Sequence, residues 1–215
     1  NFGTALSFMQ NERTRIIFIH SETRSYRVPI FTKLSEQYDS TFFFMEGKKR
    51  SAKFTESKTW NYKDLKQYPM IGYSSDFSPG LIRELIKRRD TYDIIITSGL
   101  ASFATHISFP IAKLLRKKII VWAEDWVWSR NIRAHLALPY IKYIVRHADV
   151  CIVAGKKSRD FLLSLGAHPD QIFIAPNCAL DLNAIPIDQE KLNALRQKVN
   201  PNKKIVISYL GRIVR

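Results

Sequence analysis

The sequence predicts an α/β protein, with a Rossmann-like parallel sheet and helices on both of its faces. Short runs rich in β-branched residues alternate with segments of helical period along most of the 215 residues, a pattern typical of βαβ units. The runs are apolar on consecutive residues, as expected for strands covered on both faces. The predicted strands lie at 15–20, 41–45, 92–97, 119–123, 150–154, 172–175 and 205–210.

Helical periodicity occupies several of the connections between these runs. Phe103, Ile107, Ile111 and Leu114 are spaced four, four and three residues apart, which predicts an amphipathic helix. Pro110 lies inside this helix and is expected to kink it. The next connection is predicted to be a helix over about 132–147.

The connection after the fifth predicted strand has the clearest helix ends. A helix is expected to begin near Ser158 and to carry Phe161, Leu162 and Leu165 before Gly166 ends it. By contrast, residues 48–66 are polar and lack a clean period. We interpret that segment as a loop or irregular insertion over one edge of the sheet.

A change of pattern near 183–187 predicts a domain boundary. Pro186 lies in a stretch of little periodicity, and Leu192, Leu195 and Val199 then give one more amphipathic helix before the last strand. We therefore predict an N-terminal Rossmann-like domain at 1–182. Residues 183–215 are predicted to be a linker and the start of a second domain.

The charge of the chain is strongly unbalanced. It has 34 Lys plus Arg against 19 Asp plus Glu, a formal net charge of +15, which implies an anionic partner such as a membrane surface, nucleic acid or a phosphorylated ligand. No RRM, KH, zinc-finger or helix-turn-helix signature is present in the sequence, so nucleic acid is the less expected partner. About 1 kcal/mol per basic residue near an anionic leaflet would suffice for reversible docking on a membrane.

Hydropathy and cysteine usage indicate the setting of the protein. No run approaches the roughly 18 apolar residues that a membrane-spanning helix needs. Cys151 and Cys178 are too few and too far apart for a zinc cluster, and Cys151 lies in an apolar run where it is expected to pack as a small hydrophobe. We expect a cytoplasmic protein, with a peripheral position at the inner face of the membrane as a further expectation from the charge.

Ligands of doubly wound sheets bind beyond the carboxyl ends of the strands, so the residues that follow strands are the candidate site. Glu124 and Asp125 follow an apolar strand and are the predicted catalytic pair, able to accept a proton or to hydrogen-bond sugar hydroxyls. The alternative is that they cap the next helix. Trp122 is expected in the core, whereas Trp126, a predicted acceptor contact, and Trp128 suit either a sugar ring or the core.

The loop after the first strand lacks the G-x-G-x-x-G of dinucleotide binders, so a nicotinamide cofactor is not expected. In place of glycines it offers His20, Ser21 and Arg24, which we predict to contact an acceptor. His20 could equally be a structural histidine. After the last predicted strand, Arg212 could form two hydrogen bonds to a donor diphosphate, with Gly211 allowing close approach of the backbone. Taken alone, such an arginine is more often a solvated surface group.

Three segments carry a family likeness: 148–158 (ADVCIVAGKKS), 165–177 (LGAHPDQIFIAPN) and 209–212 (YLGR). Together they resemble the N-terminal part of GT-B glycosyltransferases of the family 4 type. The sequence departs from that pattern at Cys178, which stands where the family usually has glycine, and at Asp181, which lies one residue late. Glu124 and Asp125 stand where the family often has a histidine.

The resemblance implies the N-terminal half of a GT-B fold and an enzyme that transfers sugar from a nucleotide-sugar donor with retained configuration. It implies no metal and no cofactor, with Arg212 helping to neutralise the departing diphosphate. The expected acceptor is a glycan or a lipid-linked sugar, held by the N-terminal domain. We expect the remaining donor-site residues to lie beyond Arg215, so the fragment alone should be inactive.

Two alternatives from other classes stay open at the level of sequence. One is a non-catalytic Rossmann-like module that binds a nucleotide or a phosphorylated ligand, because fold alone does not fix function. The other is a nucleic-acid-binding domain driven by charge, which would bind with a steep dependence on salt.

Overall fold

The computed structural model describes residues 13–20, 27–45, 61–68, 77–128, 132–177 and 187–200. Within them lies one parallel sheet in the order β3-β2-β1-β4-β5-β6-β7. Its strands are β1 Arg15–His20, β2 Asp39–Phe44, β3 Asn61–Asp64, β4 Ile94–Ser98, β5 Lys118–Ala123, β6 Val150–Val153 and β7 Ile172–Ile174. The helices in these ranges are α1 Val28–Gln37, α2 Pro79–Lys87, α3 Phe103–Leu114, α4 Ile132–His147, α5 Lys156–Ser164 and α6 Gln189–Val199.

The two faces of the sheet bury separate cores. Along β1, Ile17 and Ile19 belong to the larger core, which also contains residues of α2 to α5, whereas Phe18 belongs to the smaller core with Phe31 of α1. This alternation follows from the two-residue period of a strand. Helices therefore cover both faces, and the predicted fold class is confirmed.

Strand ends differ from the prediction by at most two residues for the six predicted strands in the described ranges. The predicted strand at 92–97 begins at Ile94 because the Tyr92 side chain is buried against α2, where its hydroxyl donates to the Leu85 carbonyl at 3.0 Å. The predicted strand at 205–210 lies outside the described residues.

The interpretation of 48–66 as a loop is wrong at its end. Residues Asn61–Asp64 form β3, which pairs with β2 through the register Phe42 to Tyr62. Only Tyr62 in this strand is partly buried, because an edge strand needs backbone partners on one side and little apolar surface. Because β3 is mostly polar, its sequence does not show the apolar pattern from which a strand is predicted. Residues 48–60 lie outside the described part of the chain.

The chain separates into two compact units, Asn1–Cys178 and Ala179–Arg215. The first contains the whole sheet. The second contains α6, the predicted amphipathic helix with Leu192, Leu195 and Val199, which buries none of its residues. The assignment of 1–182 and 183–215 to an acceptor domain and a donor domain stays a prediction. None of the helices in the described ranges combines the length and apolar character needed to cross a bilayer.

Two further packing predictions are confirmed by burial. Cys151 is fully buried in the larger core, and burial raises the pKa of its thiol to about 11. Trp122 is buried in the smaller core, where its ring meets Phe18 edge-on at 5.9 Å. Pro110 lies inside α3 as predicted, with the helix continuing to Leu114.

Candidate functional site

The strand order reverses between β1 and β4. These strands are neighbours in the sheet but are separated in sequence by β2 and β3. Such a switch point opens a crevice beyond the carboxyl ends of the strands, where ligands of doubly wound sheets bind. His20 ends β1, Ser98 ends β4, and Glu124 directly follows β5.

Glu124 is held in this crevice by an arginine that no sequence pattern predicts. The Arg27 guanidinium forms an ion pair with a carboxylate oxygen of Glu124, and it lies 5.5 Å from the centre of the Trp122 ring. The Arg27 side chain is 6% exposed, whereas that of Glu124 is 45% exposed. One carboxylate is thus fixed from the protein side and open on the solvent side.

Local structure explains how Arg27 reaches this place. It immediately precedes α1, whose first turn contains Pro29, a residue that favours a helix start. The proline two residues after Arg27 predicts a helix start. It does not predict the ion pair with Glu124, which is 97 residues away in the sequence. The pair exists because the sheet brings the ends of β1 and β5 to one edge.

Asp125 has a different environment from its neighbour. Its carboxylate accepts a hydrogen bond from the Leu100 backbone N–H at 3.2 Å. Leu100 lies in the turn between β4 and α3, and its carbonyl is 2.9 Å from Nε2 of His106. Asp125 therefore joins the end of β5 to the turn that follows β4. Because the Asp125 carboxylate has this partner within the protein, Glu124 is the better placed of the two acids to contact a ligand.

The β4–α3 turn that Asp125 contacts is itself strongly fixed. Gly99 has a positive φ of 82°, a conformation that favours glycine. The Ser102 hydroxyl caps α3 by accepting from the Thr105 N–H at 3.2 Å, and the Thr105 hydroxyl donates to the Gly99 carbonyl at 2.7 Å. These bonds keep one wall of the crevice in a single geometry.

The three tryptophans around the acids divide between core and surface. Trp126 is 60% exposed, and Nζ of Lys157 lies 5.5 Å from the centre of its ring. Trp128 is partly buried and donates its indole N–H to the Ala134 carbonyl at 2.7 Å, so it packs against α4. Trp122 is in the core. The exposed indole face of Trp126 is the one that suits a sugar ring.

His20 is buried beside the same aromatic core. Its ring is stacked on Phe18 at 6.2 Å and meets Phe31 edge-on at 6.2 Å. This position fits the structural alternative for His20, and its acceptor contact stays a prediction. Ser21, Arg24, Gly211 and Arg212 lie outside the described residues, so their predicted roles stay predictions as well. The described ranges hold no group of three His, Cys, Asp or Glu side chains placed to bind a metal.

Solved structures of UDP-sugar proteins share this fold. Anabaena Alr3699/HepE in complex with UDP and glucose matches with a TM-score of 0.63 at 14% identity, over 87% of this chain and 50% of that chain. A UDP-N-acetylglucosamine 2-epimerase matches at 0.55 and 17% identity, over 77% and 47% of the two chains. The S. aureus MnaA–UDP complex matches at 0.52 and 15% identity, over 76% and 44%.

These likenesses support the predicted N-terminal half of a GT-B fold. The chain spans about half the length of each of these solved structures. At such identities the likeness concerns the fold. No protein-family model matches the chain, and no curated protein matches its sequence.

Proposed function

We propose that this chain is the acceptor-binding half of a glycosyltransferase that uses a nucleotide-sugar donor, of the family 4 type, with retention of configuration. The observation that carries the proposal is the half-exposed carboxylate of Glu124, held by buried Arg27 at the switch point. The exposed ring of Trp126 adds a stacking surface two residues later. The solved structures of similar fold with UDP and with UDP-glucose support a nucleotide-sugar as donor.

The chemistry assigned to this half concerns the acceptor. Transfer forms a bond between an acceptor oxygen and the anomeric carbon, and it breaks the bond from that carbon to the diphosphate, which leaves with the electron pair. Glu124 takes up the proton of the acceptor hydroxyl and orients that hydroxyl, while Arg27 fixes the carboxylate. Asp125 acts through the β4–α3 turn as a positioning residue.

The donor site belongs mainly to the second half. By the family resemblance, Gly211 and Arg212 contact the donor diphosphate, and transfer needs neither a metal nor a cofactor. His20, Ser21 and Arg24 contribute acceptor contacts from the first loop. The acceptor is a glycan or a lipid-linked sugar, and the enzyme works in the cytoplasm at the inner face of the membrane.

The test uses the full-length protein with UDP-glucose or UDP-N-acetylglucosamine and a panel of soluble and polyprenyl-diphosphate-linked sugars. Proton NMR of the products reports both the anomeric configuration of a new glycoside and any C2 epimer of the donor. A retained glycoside with release of UDP is expected. The C2 epimer without transfer would support an epimerase, a function suggested by the fold likeness to 2-epimerases. Donor binding without turnover would support the non-catalytic module.

The role of Glu124 is tested separately within the same assay. Glu124→Gln should lower kcat by about a hundredfold or more, the usual contribution of general acid–base catalysis. Glu36→Gln, the same change on the exposed surface of α1, is the matched control and should keep the wild-type rate. Equal rates for both variants would remove Glu124 from the mechanism.

A further inference from the structure

Helix α4 carries apolar side chains on its solvent side as well as on its core side. Ile141 and Ile144 are fully buried in the larger core, whereas Ile132 and Leu136 are each 78% exposed and Tyr143 is also exposed. The exposed three are spaced four and seven residues apart, so they form one stripe along the outer face of the helix. Exposed apolar side chains grouped on one face of a helix indicate a candidate interaction site.

Two further exposed side chains, Trp126 and Val127, lie in the loop after β5. This loop is at the edge of the sheet that carries the candidate site. Because α4 begins shortly after this loop, its first turn lies at the same edge as Glu124, and its later turns lead away from it. We call Val127, Ile132, Leu136 and Tyr143 the docking strip, and Trp126 stays with the acceptor site.

Contacts with α3 hold the outer face of α4 in place. The Tyr140 hydroxyl donates to the His106 carbonyl at 2.7 Å, and the two rings meet edge-on at 5.7 Å. The Tyr143 ring meets Phe109 edge-on at 5.8 Å. The docking strip is therefore part of a packed two-helix surface and not a frayed segment.

The surroundings of the strip are positively charged. From 126 to 148 the sequence contains no Asp or Glu. Lys142 and Arg146 lie one turn apart on α4 beside the stripe, and Lys113 of α3 is partly exposed. The next acid in the chain, Asp149, is already bonded to Lys113 and Lys118. A helix with an apolar stripe flanked by cations has the composition of an interfacial membrane helix.

We propose that the docking strip rests on an anionic lipid bilayer, with its apolar side chains among the headgroups and the flanking cations on lipid phosphates. A second copy of the chain fits this surface poorly, because it would bring an equal set of cations from a protein of formal charge +15. Docking in this way lays the outer face of α4 along the bilayer, so that its first turn, at the crevice edge, is close to the membrane surface. Delivery of a lipid-linked acceptor to Glu124 by this docking rests on the proposed function. The docking of α4 on the bilayer does not depend on that function.

The experiment is co-sedimentation of the purified chain with vesicles of phosphatidylcholine alone, or of an equal mixture of phosphatidylcholine and phosphatidylglycerol. Binding is expected only with the mixed vesicles. Lys142→Gln with Arg146→Gln should weaken it by up to about thirtyfold, given the usual attraction per basic residue at a membrane surface. The matched control is Arg83→Gln with Lys87→Gln, an exposed pair of the same spacing on α2.

The control pair removes the same net charge from a different helix. It should weaken binding by about threefold or less, because charges more than a Debye length of about 10 Å from the bilayer are screened. Ile132→Ser with Leu136→Ser should weaken binding at least about tenfold, since burial of each side chain is a large favourable term. Circular dichroism confirms that each variant keeps the fold.

Three results would overturn the proposal: no binding to mixed vesicles, equal losses for the α2 and α4 charge pairs, or no loss for the serine variant. Binding to polyglutamate but not to vesicles would instead identify an acidic protein as the partner and also overturn it. The outcome is independent of the transferase assay, because vesicle binding is measured without donor or acceptor. Failure of transfer with intact vesicle binding would count against the proposed function alone.

Discussion

The ion pair between Arg27 and Glu124 predicts a measurable energetic coupling between two residues 97 positions apart in sequence. The perturbation is a double-mutant cycle of Arg27→Met, Glu124→Gln and the double variant. Methionine keeps an unbranched apolar stem against Trp122, and glutamine keeps the shape of glutamate. The cycle therefore removes the charges with little change in packing.

The magnitude follows from the unequal burial of the two partners. Hydrogen bonds to charged groups contribute about 1.5–3 kcal/mol when buried, whereas exposed ion pairs contribute about 0.2–1 kcal/mol. Arg27 is nearly buried, but Glu124 is almost half exposed, and solvent screens the interaction from that side. We expect a coupling free energy of about 1 kcal/mol.

The assay is urea unfolding of the four proteins, followed by circular dichroism and by the summed fluorescence of the four tryptophans. The control cycle uses Arg89 and Asp90, whose exposed side chains are 3.6 Å apart, and should give a coupling near zero. If the Arg27–Glu124 coupling free energy were no larger than that of the control pair, the ion pair with Arg27 would not fix the Glu124 carboxylate.

Two further predictions concern the stability of the sheet-bearing unit. Gly166→Ala should destabilise it by about 1–2 kcal/mol in urea, because φ is 96° there, a conformation that alanine rarely adopts, whereas the Arg146 guanidinium beside the added Cβ is the end of a flexible side chain and can move. Gly80→Ala in α2, where the added Cβ would meet only the Ser78 hydroxyl at 3.8 Å, should not destabilise it, because alanine favours a helix. A loss equal to that of Gly166→Ala would mean that φ at Gly166 is not the cause. Burial raises the pKa of Asp149, but the Lys118 ammonium and other donors outweigh it and hold that pKa below 3.8. The wild-type protein should therefore be more stable than Asp149→Asn above pH 3.8, and this advantage should vanish as the pH falls through the lower pKa that Asp149 has in the folded protein. Urea unfolding of both proteins over a series of acidic pH values measures the difference in their free energies of unfolding. A difference that does not change with pH would refute the prediction.

The parts of the fold that burial dictates could be read from the sequence. β1 has the predicted bounds, because it is a continuous apolar run, and α4 lies where the connection between two such runs, at about 132–147, predicts a helix. Residues Asn61–Asp64 could not be predicted in this way, because an edge strand gains its order from backbone bonds to β2 and shows no apolar pattern. Sequence patterns report side-chain burial, and β3 buries little.

The same limit applies to the site. The rule that ligands bind beyond strand ends selected Glu124 and the exposed Trp126 from sequence. It could not select Arg27, because a buried guanidinium leaves no periodic signal and its partner lies on another strand. The exposed stripe on α4 could not be predicted either, because apolar residues such as Ile132 and Leu136 are expected in the core. Only the structure shows that they are exposed.

The contrast between Glu124 and Asp125 shows why adjacent acids need separate assignments. Successive residues of a strand point to opposite faces, and this alternation continues one step past the end of β5. Glu124 follows the face of Trp122 and meets Arg27, whereas Asp125 turns to the Leu100 amide. A deletion of one residue in β5 would shift the acids by one position. It would place Asp125, the shorter acid, at Arg27 and Trp126 at the Leu100 amide, so the β4–α3 turn would lose its carboxylate. The register of β5, set by burial of its apolar residues, therefore determines which acid can act on a ligand.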